Sequence, residues 1–581
     1  MTSTYRFAFP VLIAGAFASA CSSQGSSPGV GSGSPDASAT GETSGNGSGG
    51  TGGGNSGSGG SAGGASDSGA LGSGGAGSGG SDSGASGSGG AAGGGSGSGG
   101  SGSGPTTPGM NAGAGPWGTP VAGGPAAGGM MVTGTVTVGA ATTGKVGAGF
   151  VGFSLEKTHL TNNSLTGANA PLIALYKLIA PAVIRIGAND VERCTWVPGQ
   201  PFGAGGPPFG FKIGTVMVDG LADFLNASGA KVIYGLNFSL DNVANDVAEA
   251  TYASMKLGAN LLGFEIGNEL DKYGTWAAQR AKYEGLAGGV LGALPTAKLI
   301  GPASTGGGAN SLSTPFAADE SVKFPEKLVL LTQHYYLGAS GGGASVGAMQ
   351  TVKGDIPGIA ATMETAATKN RIADGYRFGE ANSFFGHGQP GVSDTLLEGL
   401  WAIDLMFVIA EHGASGINFH GGETGMDGTK PFSYTPITES NGVVQAAMPE
   451  YHGLLAFYLA GQGALLGTTV TTANPNFTAY TVDYKADGST MVVLNNKNAT
   501  MGVQATVNLP ATTKVTSASA IYLQGTPAGS LTAAAPTVTL AGAQVTSKGE
   551  WARNPPFTQT VAGNAVSVFV PPASAAIVRI Q

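Results

Sequence analysis

The sequence predicts an α/β fold, a (β/α)8 barrel followed by a C-terminal antiparallel β-sandwich, and three observations carry that expectation. Through the middle of the chain short, nearly continuous apolar runs alternate with longer amphipathic ones, the pattern of a parallel sheet covered by helices on both faces. Eight such runs fall within about 300 residues, which suits a closed barrel. After Gly461 the helical period is lost and alternation of period two takes over, punctuated by Asn, Gly and Pro.

The first fifth of the 581 residues cannot build a core. Residues 1–21 join Arg6 to an apolar run and then to small residues, a secretory signal shape too short to span a bilayer. The run "ASAC" ending at Cys21 resembles a bacterial lipoprotein box, although Ala18 replaces the usual leucine. It implies lipidation of Cys21, with ordinary cleavage after Ala20 as the alternative. Residues 22–128 are almost all Gly, Ser and Ala and read as a disordered linker. A coil of about 90 such residues reaches roughly 50 Å, enough to hold a domain clear of a cell surface. The expected location is therefore exported: the outer membrane or cell surface through a lipid anchor, or else secreted or periplasmic. Residues 129–145, with "MMVTGTVTV", alternate like the C-terminal segment and are expected to join its sheet, because a lone edge strand would be unpaired.

Residues 146–460 hold the barrel pattern. The strand candidates are "GFVGFSLE", "AVIRIGAND", "KVIYGLNFS", "LLGFEIGNE", "AKLIGPAS", "LVLLTQHYY", "YRFGEANSF" and "ASGINFHGG". Helical runs such as "LIALYKLIA", "VMVDGLADFLNAS" and "TWAAQRAKYEGLAGGVLGAL" separate them; "SDTLLEGLWAIDLMFVIAEHG" carries a start signal at Ser393 and Asp394 and a stop at Gly413. Barrel chemistry sits at the C-terminal ends of strands. Here nearly every strand ends polar: Glu156, Asn189, Asn237, Asn268 with Glu269, His334 with Tyr335 and Tyr336, Glu380, and His420. Packing alone does not predict so polar a rim. Residues 461–581 form the expected sandwich, with "FTAYTVDY", "STMVVLNNK" and "NAVSVFVPP" among its strands.

Glutamates at the ends of strands four and seven suggest a glycosidase that retains configuration. That reaction needs two carboxyls roughly 5–5.5 Å apart, one a nucleophile and one alternating between acid and base. By position Glu269 is the acid/base and Glu380 the nucleophile, and the acid requires a raised pKa. Either glutamate could instead be a helix N-terminal acid or a rim ion-pair partner, but Asn268 beside Glu269 offers an amide for a sugar 2-hydroxyl. Glu265 is a neighbouring carboxylate expected to lie too deep in its strand to reach substrate. Tyr335 and Trp401 read as core aromatics, and Asn237 as a cap for the following helix.

The segments "GFVGFSLEKTHL", "VIRIGAND", "FEIGNELDKY", "QHYYLG", "FGEANSFFGHGQPGVSDTLLEGLW" and "YTPI" with "MPEYHGLLAF" together resemble glycoside hydrolase family 79, the β-glucuronidases and heparanase-like enzymes. The resemblance runs from about Met130 to the C-terminus and implies a retaining, metal-free barrel enzyme with an appended β-domain. It implies that Glu156 and Asn189 hold sugar hydroxyls, that Asn268 holds the 2-hydroxyl, and that Tyr336 donates to the nucleophile. Arg185, if it points inward, would keep that nucleophile charged. Two departures bear on the sugar. Phe384 and Phe385 stand where a tyrosine is expected, and Ser433-Tyr434 replaces Gly-Tyr. Tyr434 is left as the carboxylate contact, with no obvious Arg or Lys nearby. Three readings follow: a β-glucuronidase-like enzyme, a retaining glycosidase for a neutral sugar, or a non-catalytic carbohydrate-binding surface protein.

Other partners find little support. The net charge of −8 comes from scattered residues with no basic cluster, which excludes a nucleic-acid footprint. Two cysteines, Cys21 and Cys194, do not make a disulfide scaffold. No His/Cys set has zinc spacing, and "HGGETGMDGTK" lacks the periodic oxygen ligands of a calcium loop. No metal and no cofactor are expected; the expected partner is a carbohydrate. Exo or endo action and oligomeric state are left open.

Overall fold

The computed structural model describes residues 117–581, apart from 127–128, 204–209, 307–310, 352–353, 423–431 and 485. The expected signal, the lipidation site Cys21 and the Gly/Ser-rich segment to residue 116 lie outside the described residues, as does "HGGETGMDGTK" beyond Gly422. The segment assigned to a linker as far as residue 128 is anchored earlier than that. Trp117 is buried and supplies the apolar surface the Gly/Ser run lacks, while Val121, itself exposed, bridges to Phe557 by backbone hydrogen bonds with Pro556 O and Thr558 N.

Eight parallel strands close a barrel. In chain order they are Val151–Glu156, Val183–Gly187, Lys231–Leu236, Leu261–Ile266, Leu299–Ser304, Leu328–Ala339, Tyr376–Phe385 and Ile417–Gly421. These are the eight apolar runs of the sequence, each buried along nearly its whole length. Each pairs with its sequence neighbour, and the eighth returns to the first through Ile417–Val151 to Gly421–Leu155. Gly235 shows why small residues occur inside strands: a Cβ there would meet Ile186 O at 2.6 Å.

Helices cover the barrel. Ala170–Leu178 begins at Asn169, whose side chain accepts from Leu172 N, and Thr215–Ser228 ends at Gly229 in the left-handed conformation. The helix Leu396–Glu411 starts two residues after the expected signal. Ser393 is used elsewhere, paired with Ser383 Oγ at 2.9 Å, and Asp394 accepts Gly391 N at 2.6 Å. The first helical amides are satisfied from the second domain instead, Leu396 N by Ala533 O and Leu397 N by Leu531 O. This helix is buried on all sides, which explains why its sequence is apolar all round.

The second sheet has eleven strands. Met130–Val146 lies within it, antiparallel to Gly463–Thr472 and parallel to Met501–Asn508. Among the described strands of the sheet the other pairings are antiparallel; the isolated bridge Val121–Phe557 is parallel. The sheet encloses its own apolar core, including Val136, Val492, Leu494, Val507, Val568 and Val578. A buried ion pair links the barrel side to this sheet: Lys497 Nζ meets Asp404 Oδ2 at 2.7 Å, and Asp404 Oδ1 also accepts from Thr478 and Asn495, each at 2.7 Å. Among the described residues no helix is long and apolar enough to cross a membrane.

Candidate active site

Glu269 leaves the end of the fourth strand in a left-handed backbone conformation, φ 53° and ψ 59°. Such a geometry for a non-glycine residue stores strain and is concentrated at functional sites. It is held by Glu269 N donating to Ala303 O at 2.9 Å and by Gly267, φ +83°, where a Cβ would meet Leu270 Cδ2 at 2.6 Å and Phe238 Cβ at 2.7 Å. The turn delivers the Glu269 side chain into the barrel mouth. Glu380, inside the long seventh strand, points to the same place.

One carboxylate oxygen of Glu269, one of Glu380 and a ring nitrogen of His334 lie within 4.8 Å of one another. The two carboxylates have different company. Glu380 accepts from Arg185 Nη1 at 2.9 Å, from Tyr336 OH at 2.9 Å and from Ser154 Oγ at 3.5 Å. Burial alone would raise its pKa, but His420, His334, Arg185 and the Tyr336 hydroxyl outweigh it and hold the carboxyl well below its usual range. Burial pushes the His420 pKa down, and Arg185 places a guanidinium, a group that does not titrate, directly against Glu380.

Arg185 does point inward and is fully buried. Besides Glu380, it binds Glu265 through Nε at 2.5 Å and Asn268 Oδ1 through Nη2 at 2.8 Å. Glu265 thereby acts on the site through the guanidinium, from beneath the mouth. Asn268 keeps its Nδ2 toward Asn189 Oδ1 at 3.4 Å, and its backbone N–H donates to Glu192 Oε1 at 2.9 Å.

Glu269 lies within 3.1 Å of His334 Nδ1 through Oε1, while Oε2 meets Lys272 Nζ. Here the structure departs from the expectation of a raised pKa. Burial does raise it, but the hydrogen bond and charge of His334, with Lys272, hold the Glu269 carboxyl below its ordinary value in the unliganded protein. Lys272 sits three residues past Glu269 on the turn Leu270–Tyr273 and also reaches Asn189 Oδ1 at 2.9 Å.

Glu156 ends the first strand, accepts Asp190 N at 2.7 Å and faces His420 Nε2 at 3.9 Å. Burial first, then the charge of Asp190, raises its pKa well above normal. Tyr434 is buried, with its ring 5.9 Å from that of Tyr336 and 6.1 Å from that of His420, and stacks on Phe432. Phe384 is buried, whereas Phe385 is exposed and meets the edge of Tyr336. Tyr335 and Trp401 are core residues. Asn237 does not cap the next helix; it ties a loop, donating to Cys194 O and accepting Leu240 N, both at 2.8 Å, and Asn242 is the cap. Sequence reasoning missed the roles of His334, His420, Lys272, Glu192 and Ser154. Both histidines stood at strand ends, the one signal that could have found them.

Among the described residues Glu269, His334 and Glu380 form the group placed to hold a metal ion, but Arg185 and Lys272 already balance the two carboxylates, which disfavours a divalent cation there.

No family model matches the chain. It is 24% identical over 270 residues to a β-glucuronidase of Aspergillus niger, a match covering 40% of this chain and 48% of that protein, so it spans about half the length of the relative. Among solved structures it resembles a 4-O-α-L-rhamnosyl-β-D-glucuronidase from Fusarium oxysporum, with TM-score 0.62 and 20% identity over 76% of this chain and 99% of the other. It also resembles a GH51 arabinofuranosidase from Xanthomonas axonopodis pv. citri, with TM-score 0.54 and 16% identity over 78% and 100% of the two chains. At these identities the structural likenesses establish the fold.

Proposed function

We propose that the protein is a retaining glycoside hydrolase, a β-glucuronidase-like enzyme that uses Glu380 as nucleophile and Glu269 as acid/base. The observation that carries the reading is the short gap between the two carboxylates: oxygens within 4.8 Å, Glu380 fixed as an anion by Arg185 and Tyr336, and Glu269 beside His334 and the exposed side chain of Lys272. A retaining pair needs about 5–5.5 Å, whereas an inverting pair needs room for a water, about 6.5 Å or more.

In the first step Glu269, which must take up a proton as substrate binds because the free protein holds it as an anion, gives that proton to the departing oxygen while Glu380 attacks the anomeric carbon. The bond to the aglycone breaks and an ester to Glu380 forms. In the second step Glu269, now a carboxylate, takes a proton from water, which attacks the same carbon and releases Glu380. Arg185 and Tyr336 keep Glu380 unprotonated for the attack. The Asn268 Nδ2 donates to the 2-hydroxyl, while Glu156 and Asn189 bind other hydroxyls. For the sugar, the relatives named β-glucuronidases support a glucuronide, with Tyr434 contacting its carboxylate.

The test uses the full-length protein with p-nitrophenyl β-glucuronide and the matching β-glucoside, and Glu380→Ala as control. Release from the glucuronide, abolished by the substitution, is expected. Release from the glucoside alone would retain the chemistry and discard the sugar. Release by the Glu380→Ala variant at the wild-type rate would remove Glu380 from the mechanism.

A further inference from the structure

We infer that Glu192 is a positioning residue: its carboxylate fixes the backbone turn that delivers Glu269, so that the acid/base carboxyl meets the leaving oxygen in the geometry proton transfer needs. This rests on the assignment of Glu269 as acid/base. Glu192 acts through the backbone of residues 267–269 rather than on the substrate, and the inference is independent of which sugar is cleaved.

Three consecutive amides hold the turn after the fourth strand. Gly267 N donates to Leu236 O and Glu269 N to Ala303 O, both at 2.9 Å, so the outer two are held by the third and fifth barrel strands. The middle amide, Asn268 N, goes instead to a side chain, Glu192 Oε1, at 2.9 Å. The second oxygen, Oε2, accepts Ser239 N at 2.6 Å from the loop after the third strand. One carboxylate thus ties together the ends of strands two, three and four. The fit is close: at Gly267, φ +83°, a Cβ would lie 3.1 Å from Glu192 Oε1. Gly267 and Glu269 are both left-handed, and the peptide plane between Gly267 and Asn268 sets the direction in which the chain enters that strained pair. Its N–H is the one that Glu192 fixes.

Ion pairing does not account for Glu192. Among the described residues its carboxylate has no cation: Arg193 pairs with Asp190 at 3.2 Å, and Lys272 with Glu269 and with Asn189 Oδ1. Its charge is met by backbone amides, while burial opposes that charge and raises the pKa. A desolvated carboxylate without a cation costs free energy that its hydrogen bonds must offset, and those bonds run to the turn of the acid/base. The same short segment, Asn189–Arg193, also presents Asn189 Oδ1 to Asn268 Nδ2 at 3.4 Å, so it grips residue 268 by backbone and side chain together. Asn268 keeps a further anchor in Arg185 Nη2 at 2.8 Å. Glu269 keeps His334 on Oε1, but its Oε2 lies beside the exposed Lys272 and is the oxygen that a loosened turn displaces.

The experiment measures kcat/KM of the full-length protein on phenyl and dinitrophenyl β-glycosides of the sugar it cleaves best. Wild type, Glu192→Gln, Glu269→Ala and the double variant are compared, with melting temperatures alongside. Glutamine keeps the size of glutamate but offers one acceptor oxygen, so one of the two amides is left facing an NH2 group. A phenoxide leaves poorly without a proton and a dinitrophenoxide leaves readily without one, so the phenyl glycoside reports the acid. The expected result for Glu192→Gln is a loss of about tenfold on the phenyl glycoside and less than about twofold on the dinitrophenyl glycoside, a fraction of what a general acid contributes. The phenyl loss should vanish when residue 269 is already alanine, because Glu192 then has no acid to aim. Equal losses on the two substrates, a loss that persists undiminished in the Glu269→Ala background, or wild-type rates on both substrates each overturn the inference. Should Glu192→Gln fail to fold, Glu192→Asp, which keeps the charge but retreats by one methylene, is read in the same way. A Glu269→Ala variant with the wild-type ratio between the two glycosides would instead remove the acid/base assignment, and the inference with it.

Discussion

Replacing Arg185 by methionine should damage both stability and chemistry, through the same carboxylates. The guanidinium binds Glu265 at 2.5 Å, Glu380 at 2.9 Å and Asn268 at 2.8 Å, all out of contact with water. Removing one member of a buried ion-paired set leaves its partners uncompensated and costs about 3–5 kcal/mol. The pH dependence follows from the sign of the shift. In the wild type the folded pKa of Glu380 is depressed, so its contribution is present above the unfolded value of about 4.3 and lost as pH falls. Without Arg185 burial dominates and the buried carboxyls bind protons more tightly when folded. The variant's deficit should therefore be larger at pH 7.5 than at pH 5. Urea denaturation at the two pH values, followed by tryptophan fluorescence, measures it, and Glu265→Gln in the same chain should recover part of the loss. A deficit below about 1 kcal/mol, against the expected 3–5, or one that does not shrink at pH 5, would refute the reasoning.

The paired carboxyls Glu398 and Glu450 lie buried on the helices Leu396–Glu411 and Pro449–Leu459, and both have pKa values raised by burial, with Glu450 adding to the shift on Glu398. Their raised folded pKa means stability present below about pH 4.3 and lost as pH rises; Glu450→Gln should flatten that fall and stabilise the protein at pH 8 by on the order of 1 kcal/mol, as read by thermal melts across pH. Asp404→Asn strands the Lys497 ammonium between barrel and sheet and should cost about 3–5 kcal/mol, partly recovered by Lys497→Met in the same chain; equal melting temperatures for wild type and Asp404→Asn would contradict the role of the pair. Tyr336→Phe removes the hydroxyl at 2.9 Å from Glu380 and should lower kcat at least tenfold with little change in melting temperature.

The barrel was legible because its strands are buried on both faces, so each reads as an unbroken apolar run, and because a polar residue closes nearly every one. The rim glutamates and Asn268 were visible for the same reason. What the sequence could not display was pairing across loops. Glu192 meets Asn268 N from the short helical turn Asn189–Arg193, 76 residues away in the chain. The grip of Arg185 on Glu265 depends on two adjacent facts of barrel geometry, an inward rotamer and a register, that no single strand carries. Lys272 was in plain view in "GNELDK", yet its relation to Glu269 arises from the tight turn after the strand; without that turn the i,i+3 spacing means little. The start of Leu396–Glu411 was misread because its cap comes from residues 531–533 of the other domain.

The central claim, double displacement through Glu380 and Glu269, is tested most directly by the anomer first released. Proton NMR of hydrolysis of an aryl β-glucuronide by the full-length protein, recorded before mutarotation, should show the β-anomer of the free sugar appearing first and the α-anomer only later. Initial release of the α-anomer would contradict the account, since inversion has no place for a covalent ester on Glu380.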